Sequence, residues 1–346
     1  MQEGMKDAAA GAVFVQTNAP QNAVLAYRRG DDGTLTKQGT YPTGGAGSDA
    51  PHLPSQGSVV LTGNGEHLLV ANAASDDVSV FAVVGTELSL LGRTPSGGAA
   101  PRSIAEHDGL VYVMNTGKPG IHGFRIGADG LTPVVGAEHP LSAENADPAQ
   151  IGFTPDGRTL VVTERGADAI VTYAVGADGT LGMATAIPSS GPTPYGFAVT
   201  TAGTLVVTEA FRAEKGAAAA SSYTLRDGAL DPVTASVANG RSEICWAVVS
   251  GDGRFAFTTN FADGAVSAYE IGVDGSLTLR DATAGIAVDG APGLRDADLS
   301  ADGRFLYVID ADGGRVFGWS VGVDGTLSPI GAWDGIPATV AGLAAR

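Results

Sequence analysis

The sequence predicts an all-β protein, a seven-bladed β-propeller with four antiparallel strands per blade, and three recurring marks predict it. A turn followed by leucine occurs seven times, at Leu35, Leu88, Leu131, Leu181, Leu230, Leu277 and Leu327, spaced 53, 43, 50, 49, 47 and 50 residues apart. A period of that length marks stacked supersecondary units. In phase with it, a glycine turn enters an apolar strand seven times, from Val13–Val15 in the first unit to Phe305–Val308 in the last. An alternating strand with an apolar or aromatic anchor follows each time, from Val24–Tyr27 to Val316–Trp319.

Each unit therefore reads as four strands. Inner strands are expected at Ser58–Leu61, Arg102–Ala105, Ile151–Thr154, Gly196–Thr200, Ala247–Ser250 and Asp296–Ser300, rich in Gly and Ala because blades crowd near the axis. The apolar second strand comes next, then the anchored third, whose period of two packs one face, then an outer strand after the leucine. Asp-Gly pairs before the leucines supply the positive φ that turns between antiparallel strands demand. The first strand has no inner strand before it, and the tail Ala338–Leu343 has the phase of one. The two termini are therefore expected to share a blade and latch the ring, which removes exposed sheet edges. The propeller is expected to span 11–346 as one domain, with 1–10 as an N-terminal tail. Ala217–Ala220 is the one stretch rich in helix formers and is too short to hold a helix. Phe211–Ala220 reads as an enlarged loop, and Gly44–Gln56 as its counterpart before the second unit.

Glycine, at 51 of 346 residues, suits many tight turns, and a 44% apolar fraction supplies a core. The net charge of −17 repels phosphate backbones and anionic lipid, so neither nucleic acid nor membrane is expected as a partner. A small-molecule substrate or ligand is expected; the sequence leaves the oligomeric state open, and a monomer is compatible with it. The lone Cys245 forms no internal disulfide, and no leader pattern opens the sequence, so the expectation is a cytoplasmic protein, or a periplasmic or secreted one if a leader has been removed.

Binding sites in ring folds gather where rigid strands hold loops around the channel mouth. Two sets of residues are placed there. The second strands end in Asn18, Asn72, Asn115, Glu164, Glu209, Asn260 and Asp310. Asn and Asp terminate strands by bonding nearby backbone, but glutamate is a poorer turn former. Glu164 and Glu209, one unit apart, are therefore candidates for an acid/base pair, with Arg102 and Tyr195 as oxyanion stabilisers. Alternatively Asn72, Asn115, Glu164, Glu209 and Asp310 could offer an oxygen shell to a divalent cation such as calcium, the one cofactor this ring could take. The second set enters the inner strands: His52, Arg102, Gln150, Tyr195, Glu243, Trp246, Arg295 and Asp296. With Phe211 and Asn260, the members Gln150, Glu243, Trp246, Arg295 and Asp296 are the candidate substrate contacts. Cys245 reads as a small buried filler. No zinc, phosphate-loop or serine-elbow motif occurs.

Thr154-Pro155-Asp156-Gly157-Arg158-Thr159-Leu160-Val161-Val162-Thr163-Glu164-Arg165-Gly166 and Ser300-Ala301-Asp302-Gly303-Arg304-Phe305-Leu306-Tyr307-Val308-Ile309-Asp310 resemble the repeats of the seven-bladed propeller lactonase family, and the likeness covers all seven units. That family groups 6-phosphogluconolactonase-like proteins with fungal carboxy-cis,cis-muconate cyclases. Its lactone-cleaving members share Pro-Arg-His before a central inner strand and Asn-Glu after the next strand. Here the first reads Pro148-Ala149-Gln150, while Glu164 and Arg165 stand on the asparagine and glutamate positions; Pro101-Arg102-Ser103 is the nearest remnant. Thr193-Pro194-Tyr195-Gly196-Phe197-Ala198, Thr208-Glu209-Ala210-Phe211 and Cys245-Trp246 resemble a bacterial subgroup of the family. The resemblance implies a lactonase-like hydrolase acting on a small cyclic ester, possibly sugar-derived, at the channel mouth. A non-catalytic ligand- or protein-binding ring is the alternative, and a divalent-metal-dependent lactonase or muconate-type cycloisomerase a third.

Overall fold

The computed structural model describes residues 11–51, 53, 56–226 and 229–346. His52, the Asp227-Gly228 mark and the tail 1–10 lie outside the described residues. Seven four-stranded antiparallel sheets are present, as the repeat predicts. Blade 1 takes its outer three strands from Gly11–Gln16, Ala23–Arg29 and Leu35–Pro42, and its inner strand from Leu343–Ala345 at the other end of the chain. Val13 pairs with Ala345 and Val15 with Leu343. The latch was expected at 338–343 and lies nearer the C-terminus. Gly342, at φ +79°, turns the chain into the blade only there, and Val340 before it packs in the cluster of Val13 and Val15.

The second and third strands of each blade are almost wholly buried, and their side chains form the clusters between neighbouring blades. The conserved phase of the marks has a packing reason. Tyr112 of blade 3 donates its hydroxyl to the carbonyl of Gly179 in the Asp-Gly turn of blade 4 (2.7 Å), and Tyr307 of blade 7 does the same to Gly33 of blade 1 (2.6 Å). The turn that closes one hairpin is thus also the dock for the preceding blade's tyrosine.

Inner strands start one to three residues earlier than expected, at Pro101–His107, Pro148–Phe153, Pro194–Val199, Ile244–Val249 and Leu294–Leu299. A residue in the left-handed region precedes each: Ala100 (φ 54°), Asp147 (40°), Thr193 (60°), Glu243 (54°) and Gly293 (140°). The register then slips, between Pro194 and Phe197 or between Leu294 and Ala297 for example. Such a bulge re-aims one side chain. The second residue of each inner strand, namely Arg102, Ala149, Tyr195, Cys245 or Arg295, is in this way delivered to the same end of the ring. Ala219–Arg226 is a strand, preceded by a short 3-10 turn at Phe211–Ala213, so the alanine run is β and its side chains are buried. Among the described residues no helix is long and apolar enough to cross a membrane.

Candidate mouth pocket

The residues that end the second strands are each engaged in hydrogen bonds to neighbouring loops and strands. Glu164 accepts the amide of Ser142 (3.0 Å) and the Ser142 hydroxyl, pinning the loop that leads into its blade. Glu209 accepts the amide of Gly191 (2.8 Å) and the hydroxyls of Ser221 (2.5 Å) and Ser236 (2.7 Å). Asn72 bonds Asn22, Thr43, Asp77 and Ser79, Asn115 bonds Ser96, and Asn260 bonds Asn239, Ala265 and Ser267. Asn18 holds Ser48, and Asp310 accepts the amide of Gly313 (3.0 Å) beside Arg315. All seven are buried. These partners explain the residue types. A strand end buried under a loop needs a short polar side chain to satisfy the loop's donors, and where the donors are amides and hydroxyls a carboxylate serves as well as an amide. Among the described residues no group of three or more His, Cys, Asp or Glu is placed to hold a metal ion.

Gln150 is similarly occupied. Its side-chain amide donates to the carbonyl of Phe197 (3.0 Å) and accepts the amide of Phe197 (2.6 Å), clipping blade 4 to the unpaired edge of blade 5's inner strand. Gln56 does the same at longer range. It comes from the loop between blades 1 and 2 and brackets Ala247 of blade 6 through Nε2 to the carbonyl (2.9 Å) and Oε1 from the amide (3.1 Å). One side chain thereby spans the axis and separates the two ends of the channel.

On the mouth side of Gln56 lies a pocket of about 480 Å³. Blade 5 gives it Tyr195, with Arg212 and Ala213 from the 3-10 turn, and blade 6 gives Glu243, Cys245, Trp246 and Phe261. Arg295 enters from blade 7 and Arg165 from blade 4, while Leu53 of the crossing loop contributes the cover. The structure thus brings Tyr195, Glu243, Trp246 and Arg295 together, and leaves Glu164, Glu209, Gln150, Asn260 and Phe211 outside the lining. Arg102 adjoins it, close enough to Arg165, Asp147 and Tyr195 for their charges to act on it. Asp296 faces the other way, into the channel beyond Gln56.

Sequence reading missed Arg165, Arg212, Phe261 and Thr193. Arg165 and Phe261 are each the residue directly after a strand end already singled out, so extending that set by one position would have found them. Arg212 carries a signal only in the backbone: Phe211, Arg212 and Ala213 all have positive φ, at 47°, 51° and 62°. Left-handed turns of three non-glycine residues are costly. This one is held by the Arg212–Asp168 ion pair and by Thr193 Oγ1, which accepts the amide of Arg212.

Charge in the pocket is set by burial. Arg165 pairs with Asp147 (2.7 Å) and lies over the Tyr195 ring, 4.8 Å from its centre. Arg295 is 2% exposed, rests over Phe261 at 5.2 Å, and its Nε and Nη2 find no hydrogen-bond partner. Burial pulls its pKa down to about 10, against the attraction of Asp312 and Asp296, so it remains a cation at neutral pH. A buried guanidinium with free donors is costly unless an anion or a polarised carbonyl meets it. Glu243 is half-buried, and burial together with Asp263 raises its pKa above the usual glutamate value of 4.5. Burial pushes the Tyr195 hydroxyl and the Cys245 thiol up as well, so both are neutral; Cys245 donates to the Glu243 carbonyl (3.2 Å) and is no thiolate nucleophile.

A family model described as "Lactonase, 7-bladed beta-propeller" matches the chain over residues 20–131, 131–210 and 207–337. The chain belongs to this lactonase family. Curated proteins supply no match to it. Among solved structures it is similar to a protein from Lactobacillus plantarum (18% identity, TM-score 0.77, 97% of this chain and 99% of that one). It is also similar to a periplasmic gluconolactonase of Pseudomonas aeruginosa (18%, 0.74, 97% and 99%) and to a provisionally assigned 6-phosphogluconolactonase of Bacteroides fragilis (18%, 0.75, 99% and 100%). At that identity the likeness is one of fold. Ala149, Gln150, Glu164 and Arg165 depart from the pattern that the lactonase resemblance implies, and the structure puts Ala149 and Arg165 at the mouth. Ala149 is buried in the cluster with Tyr195, Cys245 and Trp246, and Arg165 covers Tyr195. The positive charge stands on the turn after the second strand instead of on the inner strand.

Proposed function

We propose that the protein hydrolyses a small anionic lactone in the mouth pocket, with Glu243 as general base. The observation that carries this reading is the convergence of one carboxylate of raised pKa with a buried, unpartnered arginine and a neutral tyrosine hydroxyl. The apolar surfaces of Trp246 and Phe261 would take the ring carbons, and Arg165 or Arg212 the substrate's own charge.

Ionised Glu243 removes a proton from water as the water oxygen bonds to the lactone carbonyl carbon. The carbonyl electrons move onto oxygen, where the Arg295 donors and the Tyr195 hydroxyl stabilise the oxyanion. Collapse of the tetrahedral intermediate breaks the ring C–O bond, and the proton held by Glu243 passes to the departing ring oxygen. One water is consumed and one hydroxy acid is formed. A pKa raised by burial and by Asp263 makes Glu243 a better base than an exposed carboxylate.

The test is turnover of a panel of aldono- and uronolactones, followed by acid release. Activity that is lost in Glu243→Gln and kept in Glu164→Gln supports the reading. If the wild-type protein binds lactones but opens none, the pocket is a binding site and the hydrolytic role is wrong.

A further inference from the structure

Beyond Gln56, on the side away from the mouth, the channel widens into a second cavity of about 510 Å³ lined by inner strands of blades 7, 1 and 2. Asp296 and Asp298 lie two residues apart on Leu294–Leu299, so both side chains leave the same face of that strand and both line this cavity. Asp298 is tied down: its oxygens accept the amides of Ala345 and Leu299, each at 2.8 Å. Asp296 is 2% exposed; among the described residues the backbone amides of Gly57 and Leu343 face its carboxyl but no donor reaches full hydrogen-bond geometry with either oxygen. Among the described residues the cavity's other titratable group is Arg346, whose guanidinium is turned to the carbonyls of Gly65 (3.2 Å) and Gly85 (2.9 Å). Arg295 leaves the opposite face of the strand toward the mouth.

Buried carboxylates with unused oxygens are settled by a proton, a donor or a cation. We propose that Asp296 and Asp298 form an axial site for a hard divalent cation of calcium size. Carboxylate oxygens with water filling the remaining positions are the ligand chemistry such ions take, and the cavity has room for that water. The cation would link the strand of blade 7 to the C-terminal strand whose Ala345 bonds Asp298, and so would tighten the latch. Burial raises both carboxyls, Asp298 to about 7 and Asp296 well above the ordinary value, so protons compete with the ion and its affinity rises with pH.

The test uses the full chain, stripped with chelator and titrated with calcium, magnesium and manganese by calorimetry at pH 8. One ion per chain is expected, with a rise in Tm on calcium addition and an affinity about 30-fold weaker or worse in Asp296→Asn. Soaking wild-type crystals in manganese gives a readout that does not depend on how the variant folds: an anomalous peak against Asp296 is expected. No binding at millimolar ion, a peak elsewhere, or undiminished affinity in Asp296→Asn with a water against Asp296 overturns the proposal.

Discussion

Glu209 and Glu243 are glutamates at the same end of the ring, one blade apart, and their surroundings make them opposites. Glu209 is fully buried and receives an amide and two hydroxyls, so its oxygens are committed to holding a loop and an outer strand. Glu243 sits on the left-handed residue just before an inner strand, half-buried, facing a pocket with an arginine and a tyrosine across from it. What separates structure from chemistry here is whether the fold has already spent the carboxylate's lone pairs.

Replacing Glu209 by Ala orphans three buried donors and is expected to cost about 3 kcal/mol or more in urea unfolding, while turnover per folded molecule persists. The comparison breaks if stability is untouched and activity collapses. Glu243→Gln should do the reverse, lowering kcat/KM about 100-fold or more with Tm nearly unchanged. Arg295→Met is expected to lower kcat about 100-fold for neutral and carboxylate-bearing lactones alike, since the oxyanion loses a charged donor whatever the substrate's own charge.

Two pH measurements sharpen the contrast at lower amplitude. The base works deprotonated, so kcat/KM should climb with pH through a midpoint above 4.5. Asp263→Asn should move that midpoint down, because the like charge that helps raise Glu243 is gone. In chelator, Asp298 has a folded pKa of about 7 against 3.8 for the free side chain. A raised carboxyl adds to stability below pH 3.8, and that contribution is lost as pH rises through 7. Tm should therefore fall between pH 4 and 8, and the fall should be shallower in Asp298→Asn, which has no carboxyl to titrate.

The blade count, the latch and the end of the ring that carries the pocket were legible because the repeat fixes them. Tyr195, Trp246, Glu243 and Arg295 were legible too, as members of one set of equivalent positions. Glu164 and Glu209 stand outside the pocket lining. Their types set them apart from the asparagines, yet the serines at 142, 221 and 236 that occupy them are distant in sequence and carry no recognisable spacing. Arg165 and Arg212 went unread because surface arginines are common and only the turn geometry aims these two inward.

The sequence by itself determined the ring: a 43- to 53-residue period of turn, apolar strand and anchored strand admits few packings, since each blade can bury its two faces only against a copy of itself. Which polar groups were free to act was decided by tertiary structure alone. A local bulge swings each inner strand's second residue to the mouth, a glutamine from blade 2's entry loop divides the channel, and loop donors from other strands consume some carboxylates and spare others. Hydrogen-bond satisfaction is a sum over neighbours in space, and neighbours in space are what a linear pattern omits.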